Sequence, residues 1–225
     1  MCIRDRLKTI IIYFAVTNIW MPSFDLEKLA WKGGFSCVAG VDEVGRGPWA
    51  GPVLACALIF NNSDDQHPLF SELDDSKKLS KTKREKLAQQ LPSFAKIGIG
   101  YASVKEIDAL NILKATLVAM GRAIDNLPET PDYLLVDGNH LPKTNFEEKC
   151  VVRGDSISYS IAAASVIAKV KRDKLMSELS LECPGYGWET NAGYGTKTHQ
   201  EALLIHGVTK HHRKSFSPIR NMLTK

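Results

Sequence analysis

Residues 38–60 read VAGVDEVGRGPWAGPVLACALIF. Two apolar runs, Val38 to Val44 and Val53 to Phe60, flank an insert punctuated by Gly45, Gly47, Pro48, Gly51 and Pro52. Short runs rich in Val, Ala and Leu, bounded by Gly and Pro, predict two buried strands joined by a turn. Asp42 and Glu43 stand near the end of the first strand, just before that turn.

Downstream, Asn61 to Asp75 reads as a polar, acidic loop, and Ser80 to Leu91 as a helix with a Ser cap and a stop at Pro92. Ile97 to Val104 predicts a third strand, weakened by Gly98 and Gly100. From Lys105 to Asn126 the apolar residues Ile107, Leu110, Leu113, Leu117, Met120 and Ile124 recur at spacings of three and four, which predicts an amphipathic helix or a pair of them. Tyr133 to Val136 is a short strand entering Asp137-Gly138, and Val151-Val152 ends another at Gly154-Asp155. Ser160 to Leu181 has a long helical pattern whose start, Ala162 to Ala164, permits close packing on a sheet. Strands first, then strands alternating with helices, predict an α/β fold with a mixed sheet flanked by helices.

The composition is that of an ordinary globular chain: 225 residues, 44% hydrophobic, 24% charged and 8% aromatic, enough to bury a core and unlike a disordered or fibrous protein. A net charge of +4 permits nucleic-acid binding without requiring it. The tail carries Lys210, Arg213, Lys214, Arg220 and Lys225 with no acid, which suits either a polyanion or plain solvation. Five cysteines, at 2, 37, 56, 150 and 183, form no CxxC pair, so a disulfide framework or structural zinc is not expected and a reducing, cytoplasmic setting is. Ile10 to Val16 is too short to cross a bilayer, and no small-residue cleavage site follows it. Met1 to Arg6, MCIRDR, is what the end of a common DNA-library transposon spells in translation. Residues 1–20 are therefore expected to be a non-native leader, with Met21 the native start.

Three places put carboxylates where a strand ends or a helix begins: Asp42-Glu43, Asp137 and Asp155. The carboxyl ends of strands in α/β sheets are where ligands collect, so acids from separate strands can converge there. Converging carboxylates repel unless a cation neutralises them, and oxygen-only ligands favour Mg²⁺ or Mn²⁺ over zinc. Because neighbours on a strand point to opposite faces, Glu43 is expected to act from a frayed strand end next to Gly45. Taken singly, each acid is more readily read as a solvated strand-end or helix-capping carboxylate than as a ligand.

Longer motifs narrow the reading. The segment from Val41 to Pro48 (VDEVGRGP), continued by Ala50-Gly51-Pro52-Val53, resembles the signature of the ribonuclease HII family. Further matches follow in family order. They are the residues from Asp74 to Ser80 (DDSKKLS), Val136 to Asn139 (VDGN), Gly154-Asp155-Ser156, Ile161 to Ser165 (IAAAS), Gly193 to Thr196 (GYGT) with His199, and His211 to Phe216 (HHRKSF). The Gly-Arg-Gly turn favours this type over ribonuclease HIII.

The resemblance implies a ribonuclease H-like mixed β-sheet flanked by helices, with a small helical C-terminal appendage. Residues 21–183 would form the catalytic domain and 184–225 a helical substrate-binding region. It also implies a monomeric, two-metal endonuclease using Mg²⁺ or Mn²⁺ held by Asp42, Glu43, Asp137 and Asp155. The enzyme would cut 5′ of ribonucleotides in RNA–DNA hybrids, and of single ribonucleotides in duplex DNA, leaving 3′-hydroxyl and 5′-phosphate ends. By the same resemblance Gly45, Arg46 and Gly47 contact the ribose 2′-hydroxyl, and Tyr194 stacks on the sugar after the scissile step. Lys77, Lys78, Ser165 and Lys169 are further candidates for substrate contact. Family members often have Lys where this chain has Ala192, with Lys197 the nearest substitute. A branched-DNA resolvase of the same fold would share the acids but has no use for the Gly-Arg-Gly turn, and a non-catalytic nucleic-acid-binding module that kept the fold would have no use for four intact acids.

Overall fold

The computed structural model describes residues 21–61 and 67–224, so the expectation about residues 1–20 lies outside the described residues. The described elements run α1 (Asp25–Lys32), β1 (Val38–Val44), β2 (Val53–Phe60), α2 (Pro68–Glu72), α3 (Lys81–Gln90) and β3 (Ala95–Ala102). They continue α4 (Val104–Leu110), α5 (Ile112–Asp125), β4 (Tyr133–Asp137), β5 (Glu147–Val151), α6 (Tyr159–Glu182), α7 (Trp188–Asn191), α8 (Lys197–His206) and α9 (Ser217–Leu223). The strands form one mixed sheet in the order β3-β2-β1-β4-β5. β1, β2 and β3 pair antiparallel, while β1–β4 and β4–β5 pair parallel.

Helices cover both faces, which is why β2 is apolar throughout rather than alternating. Leu54, Cys56 and Leu58 pack with Ala163, Ala164 and Ile167 of α6, whereas Val53, Ala55, Ala57 and Ile59 pack with Ala115, Ala119 and Ala123 of α5. The same two-residue period sets β1: Ala39 and Val41 belong to the α5 face, and Gly40 lies under the start of α6. A Cβ on Gly40 would sit 2.3 Å from the Ser160 carbonyl carbon, so glycine is what lets α6 touch the sheet here.

Two local expectations are corrected and one alternative is decided. The third strand begins and ends two residues earlier than predicted, because Ser103 and Glu106 form a capping box that starts α4 at Val104. Of the single helix or pair expected over 105–126 the structure has the pair, broken at Asn111, whose φ of 72° no helix accommodates. The acidic loop after Asn61 contains α2, started by Pro68 and capped by His67.

Beyond the sheet, α6 runs on into a C-terminal helical region. Met176, Tyr186, Trp188, Leu203 and Ile219 form a separate apolar cluster there, which also buries Ala50 of the β1–β2 turn. An isolated bridge pairs Ala50 with His212, so the end of the chain folds back against the turn.

Candidate active site

The parallel ladder between β1 and β4 runs from Val38↔Tyr133 to Val41↔Val136 and stops. The next rung would pair Asp42 with Asp137, so two carboxylates stand at the fork where the strands part. β1 has an antiparallel neighbour, β2, on one side and a parallel one, β4, on the other, and the crevice opens at the carboxyl ends of the parallel pair, where α/β sheets place ligands. β1 is not frayed as expected: its ladder with β2 continues through Glu43↔Ala55 to Val44↔Leu54, and only the β4 side opens. By alternation Asp42 faces α6 and Glu43 the opposite side.

Asp155 arrives from a short 3-10 turn, Gly154–Ser156, that leads into α6. The Gly154 N–H donates to Asp137 Oδ1 at 2.6 Å, which fixes this turn against the end of β4. Asp42 is buried and its Oδ1 accepts the Glu43 N–H at 2.7 Å; Glu43 pairs with Arg46 at 3.3 Å, and Asp155 with Lys77 at 3.4 Å.

All four carboxyls titrate above their ordinary range. For Asp42, burial is the main cause, followed by the charges of Glu43, Asp137 and Asp155. Burial also leads for Glu43, opposed by Arg46, and for Asp137, opposed by the Gly154 N–H. Asp155 is raised by burial and then by Asp75, an acid next to the site that the sequence reading did not single out. Among the described residues no three His, Cys, Asp or Glu side chains form a ready-made metal cage. Each acid is instead turned to a protein donor. A set of buried oxygen donors nonetheless fits a divalent cation in its chemistry, since a bound cation would offset both the burial of these charges and the repulsion felt by Asp42, Glu43 and Asp155.

The turn from Gly45 to Pro52 is built from below by two arginines, Arg172 of the long helix α6 and Arg213 of the stretch read as a basic tail. Both are fully buried. Arg213 donates to the carbonyls of Gly45 (2.6 Å), Arg46 (2.9 Å) and Gly51 (2.9 Å), and its guanidinium carbon lies 5.1 Å from the Phe216 ring centroid. Arg172 donates to the carbonyls of Pro52 (3.1 Å), Ala50 (3.2 Å) and Ala192 (2.9 Å). Gly45, at φ 91°, must be glycine for a reason other than ligand approach: a Cβ would stand 2.1 Å from Arg172 Nε. Gly47 abuts the Tyr194 ring, which a Cβ would meet at 3.3 Å. The Trp49 and Ala50 N–H groups donate to the Gly193 carbonyl, joining the turn to the Tyr194 loop.

That loop rests on two buried histidines. The Thr209 N–H donates to His212 Nδ1 at 2.9 Å, so the His212 proton sits on Nε2 and is given to His199 Nε2 at 3.0 Å. His199 Nε2 also accepts from Trp188 Nε1 at 3.2 Å, so its own proton is on Nδ1 and is given to the Tyr194 carbonyl at 2.9 Å. A further proton on His199 Nε2 would meet only the N–H groups of Trp188 and His212. Burial holds both rings neutral, lowering His199 and bringing His212 from 6.5 to about 4, the latter aided by His199 and His211. The unfolded chain therefore takes up protons that the fold refuses, and stability falls as pH drops from about 6.5 toward about 4. The expected loss is on the order of 3 kcal/mol. The four acids contribute the opposite slope, so the measurement is the difference in denaturation profiles between wild type and His212→Asn. Equal acid slopes in the two would refute it.

The remaining expected contacts are placed as follows. Arg46 and Tyr194 are about half exposed beside the acids and the turn. Lys77 is mostly exposed, Lys78 pairs with Asp74 at 2.9 Å, and Lys169 with Asp173 at 2.7 Å. Ser165 is buried with its hydroxyl donating to the Ala162 carbonyl, so it has no surface to offer a ligand. Ala192 is in the left-handed region at φ 48°, and Lys197 is exposed beside Glu201. His212 packs inside, and His211 faces Glu182 at 3.2 Å. Arg213, read as part of a basic tail, is core.

A mixed sheet of this order, with acids gathered where its parallel pair parts, defines an α/β protein of ribonuclease H fold. The crystal structure of ribonuclease H2 from Pyrococcus horikoshii OT3 shares it at a TM-score of 0.69 and 25% identity, over 83% of this chain and 97% of that one. The family model for ribonuclease HII matches residues 39–219. Ribonuclease HII of Jannaschia sp. (strain CCS1) is 53% identical over 203 residues, 90% of this chain and 98% of the relative. That of Wolbachia pipientis subsp. Culex pipiens is 51% identical over 199 residues, 88% and 98% of the two chains. The chain belongs to the ribonuclease HII family, and is a ribonuclease H of type HII, a phosphodiester hydrolase. No described helix is long and apolar enough to cross a membrane.

Proposed function

We propose that this enzyme is a divalent-metal-dependent endonuclease that cuts 5′ of ribonucleotides, both in RNA–DNA hybrids and at single ribonucleotides embedded in duplex DNA, leaving 3′-hydroxyl and 5′-phosphate ends. The observation that carries it is the fork of β1 and β4, where Asp42, Glu43, Asp137 and Asp155 come together directly beside the Gly45–Gly47 turn, and where the Asp42 pKa is held up by burial and then by the charges of the other three. These four would hold Mg²⁺ or Mn²⁺, which when bound supplies charge neutralisation at the scissile phosphate and a more acidic water. Asp137 and Asp155 are set relative to each other by the Gly154 N–H, and Lys77 leaves Asp155 for a phosphate without breaking a buried contact. Among the described residues no hydrogen bond takes up the N–H groups of Arg46 and Gly47, which suits them to a 2′-hydroxyl, the group that distinguishes RNA from DNA. Lys78 and Lys169 would add phosphate contacts on either side. The reaction belongs in the cytoplasm, where the free thiols stay reduced.

The deciding assay is cleavage of a duplex carrying one ribonucleotide, with and without Mg²⁺ or Mn²⁺, against all-DNA and branched-DNA controls. Metal-dependent cuts at the 5′ side of the ribonucleotide alone are expected. Cleavage of branched DNA, or none of the ribonucleotide duplex, would overturn the reading. In the same assay Tyr194→Ala is expected to lower kcat/KM on the single ribonucleotide by about 5- to 150-fold, the worth of one aromatic stack. A smaller loss is expected on a continuous RNA strand. Equal losses on both would remove Tyr194 from junction reading.

A further inference from the structure

Arg172 and Arg213 are completely buried, yet among the described residues neither forms an ion pair; all six donor contacts go to backbone carbonyls. Burying a guanidinium without a carboxylate is costly, and a site needing only stability is better served by apolar packing. The cost is visible in both groups: burial lowers Arg172 to about 10 and Arg213 to about 9. Arg213 holds one segment only, the turn. Arg172 holds two, because it reaches Ala50 and Pro52 on one side and Ala192, two residues before Tyr194, on the other.

We propose that Arg172 is a positioning residue that locks the Gly45–Pro52 turn to the Tyr194 loop, so that the ribonucleotide and the sugar next to it are read by one rigid frame. This rests on the function proposed above and adds to it a residue that touches no substrate. Three features support the lock. The planar fork of Arg172 matches carbonyls from two segments at once, which an ammonium cannot do. The space it fills exists only because residue 45 is glycine, and the two segments meet again where the Trp49 N–H reaches the Gly193 carbonyl. The buried charges also draw the carbonyls of the turn inward, leaving the Arg46 and Gly47 N–H groups without a partner among the described residues.

The test is Arg172→Lys in the full chain, which keeps the charge and removes the fork. Folding is followed by circular dichroism and thermal unfolding, and kcat and KM are measured on a single-ribonucleotide duplex and on an RNA–DNA hybrid. Misplacing a recognition element by an ångström costs up to about 100-fold. KM on the single-ribonucleotide duplex is therefore expected to rise at least about tenfold. On the hybrid, which offers a ribose at every step, kcat should stay within about threefold of wild type, so the preference between the two substrates collapses. A folded variant that keeps the wild-type preference overturns the proposal, however much stability it has lost. Should Arg172→Lys not fold, Arg172→Gln decides, since its amide removes the buried charge but spans only one of the two segments, and the same loss of preference is expected. A wild-type enzyme inactive on both substrates would instead sink the function proposed above, which separates the two failures.

Discussion

Asp42→Asn is expected to cost at least about 1,000-fold in metal-dependent cleavage while making the metal-free protein more stable. The activity loss follows from removing one oxygen anion from a site where bound cations supply several kcal/mol of charge stabilisation. The stability gain follows from the geometry. Asp42 is buried, and its Oδ1 accepts the Glu43 N–H, a bond the Asn carbonyl oxygen keeps. What the substitution removes is a charge opposed by burial and by Glu43, Asp137 and Asp155. With the folded pKa raised above the unfolded value, the ionised form weakens the fold at neutral pH, and this penalty fades as pH falls through the folded pKa. Wild type in chelator should thus melt below Asp42→Asn at pH 7, and the two should converge in acid. Each kcal/mol is worth about 2–4 °C in a chain of this length. A variant that melts lower at pH 7, or still cleaves, would show that Asp42 is a structural acid.

Gly40→Ala is the second large effect, and here the fold itself should give way. The new Cβ would lie 2.3 Å from the Ser160 carbonyl carbon and 2.4 Å from the Ile161 nitrogen, both backbone atoms that cannot rotate aside. Overpacking of this kind costs about 1–3 kcal/mol when side chains can yield, and this contact leaves only movement of α6. A loss of about 3 kcal/mol or more is expected, together with a fall in kcat beyond the unfolded fraction, because the turn bearing Asp155 leads into α6. Gly121 provides the control. It lies within α5 with nothing within 4 Å of a Cβ, so Gly121→Ala should stabilise by about 0.5–1 kcal/mol. Similar melting temperatures for the two variants would refute the close-approach argument.

Legibility in the sequence followed the range of the interactions. The first two strands could be read to the residue because Val38 to Val44 and Val53 to Phe60 are bounded by local Gly and Pro signals. The acids were legible as strand-end positions, but their spacing was not, since it depends on where the β1–β4 ladder stops. Gly98 and Gly100 were read as weaknesses in a strand; they are where α5 lies against β3, with Cβ positions 2.1 and 2.2 Å from helix carbonyl oxygens. Val104 was misassigned because an apolar run says nothing about a capping box that begins one residue earlier. The least legible parts were Arg172 and Arg213. Their residue type argues for the surface, and their carbonyl partners lie 120 to 168 residues away, apart from Ala192. The His199–His212 pair was equally hidden, although His199 stands just after Gly193 to Thr196 and His212 lies in the HHRKSF stretch.

The inward-facing carbonyls of the Gly45–Pro52 turn also bear on how such an enzyme can change. The turn is not a portable cassette. Grafted alone into another sheet it would carry its amides but none of the anchors that orient them. Drift at position 172, 192 or 213 is felt by the turn without any change in its own letters. Substitutions across these segments should be strongly epistatic, as expected for residues sharing one hydrogen-bonded network. A lineage altering its choice of nucleic acid would then have to rewrite three distant stretches of gene together.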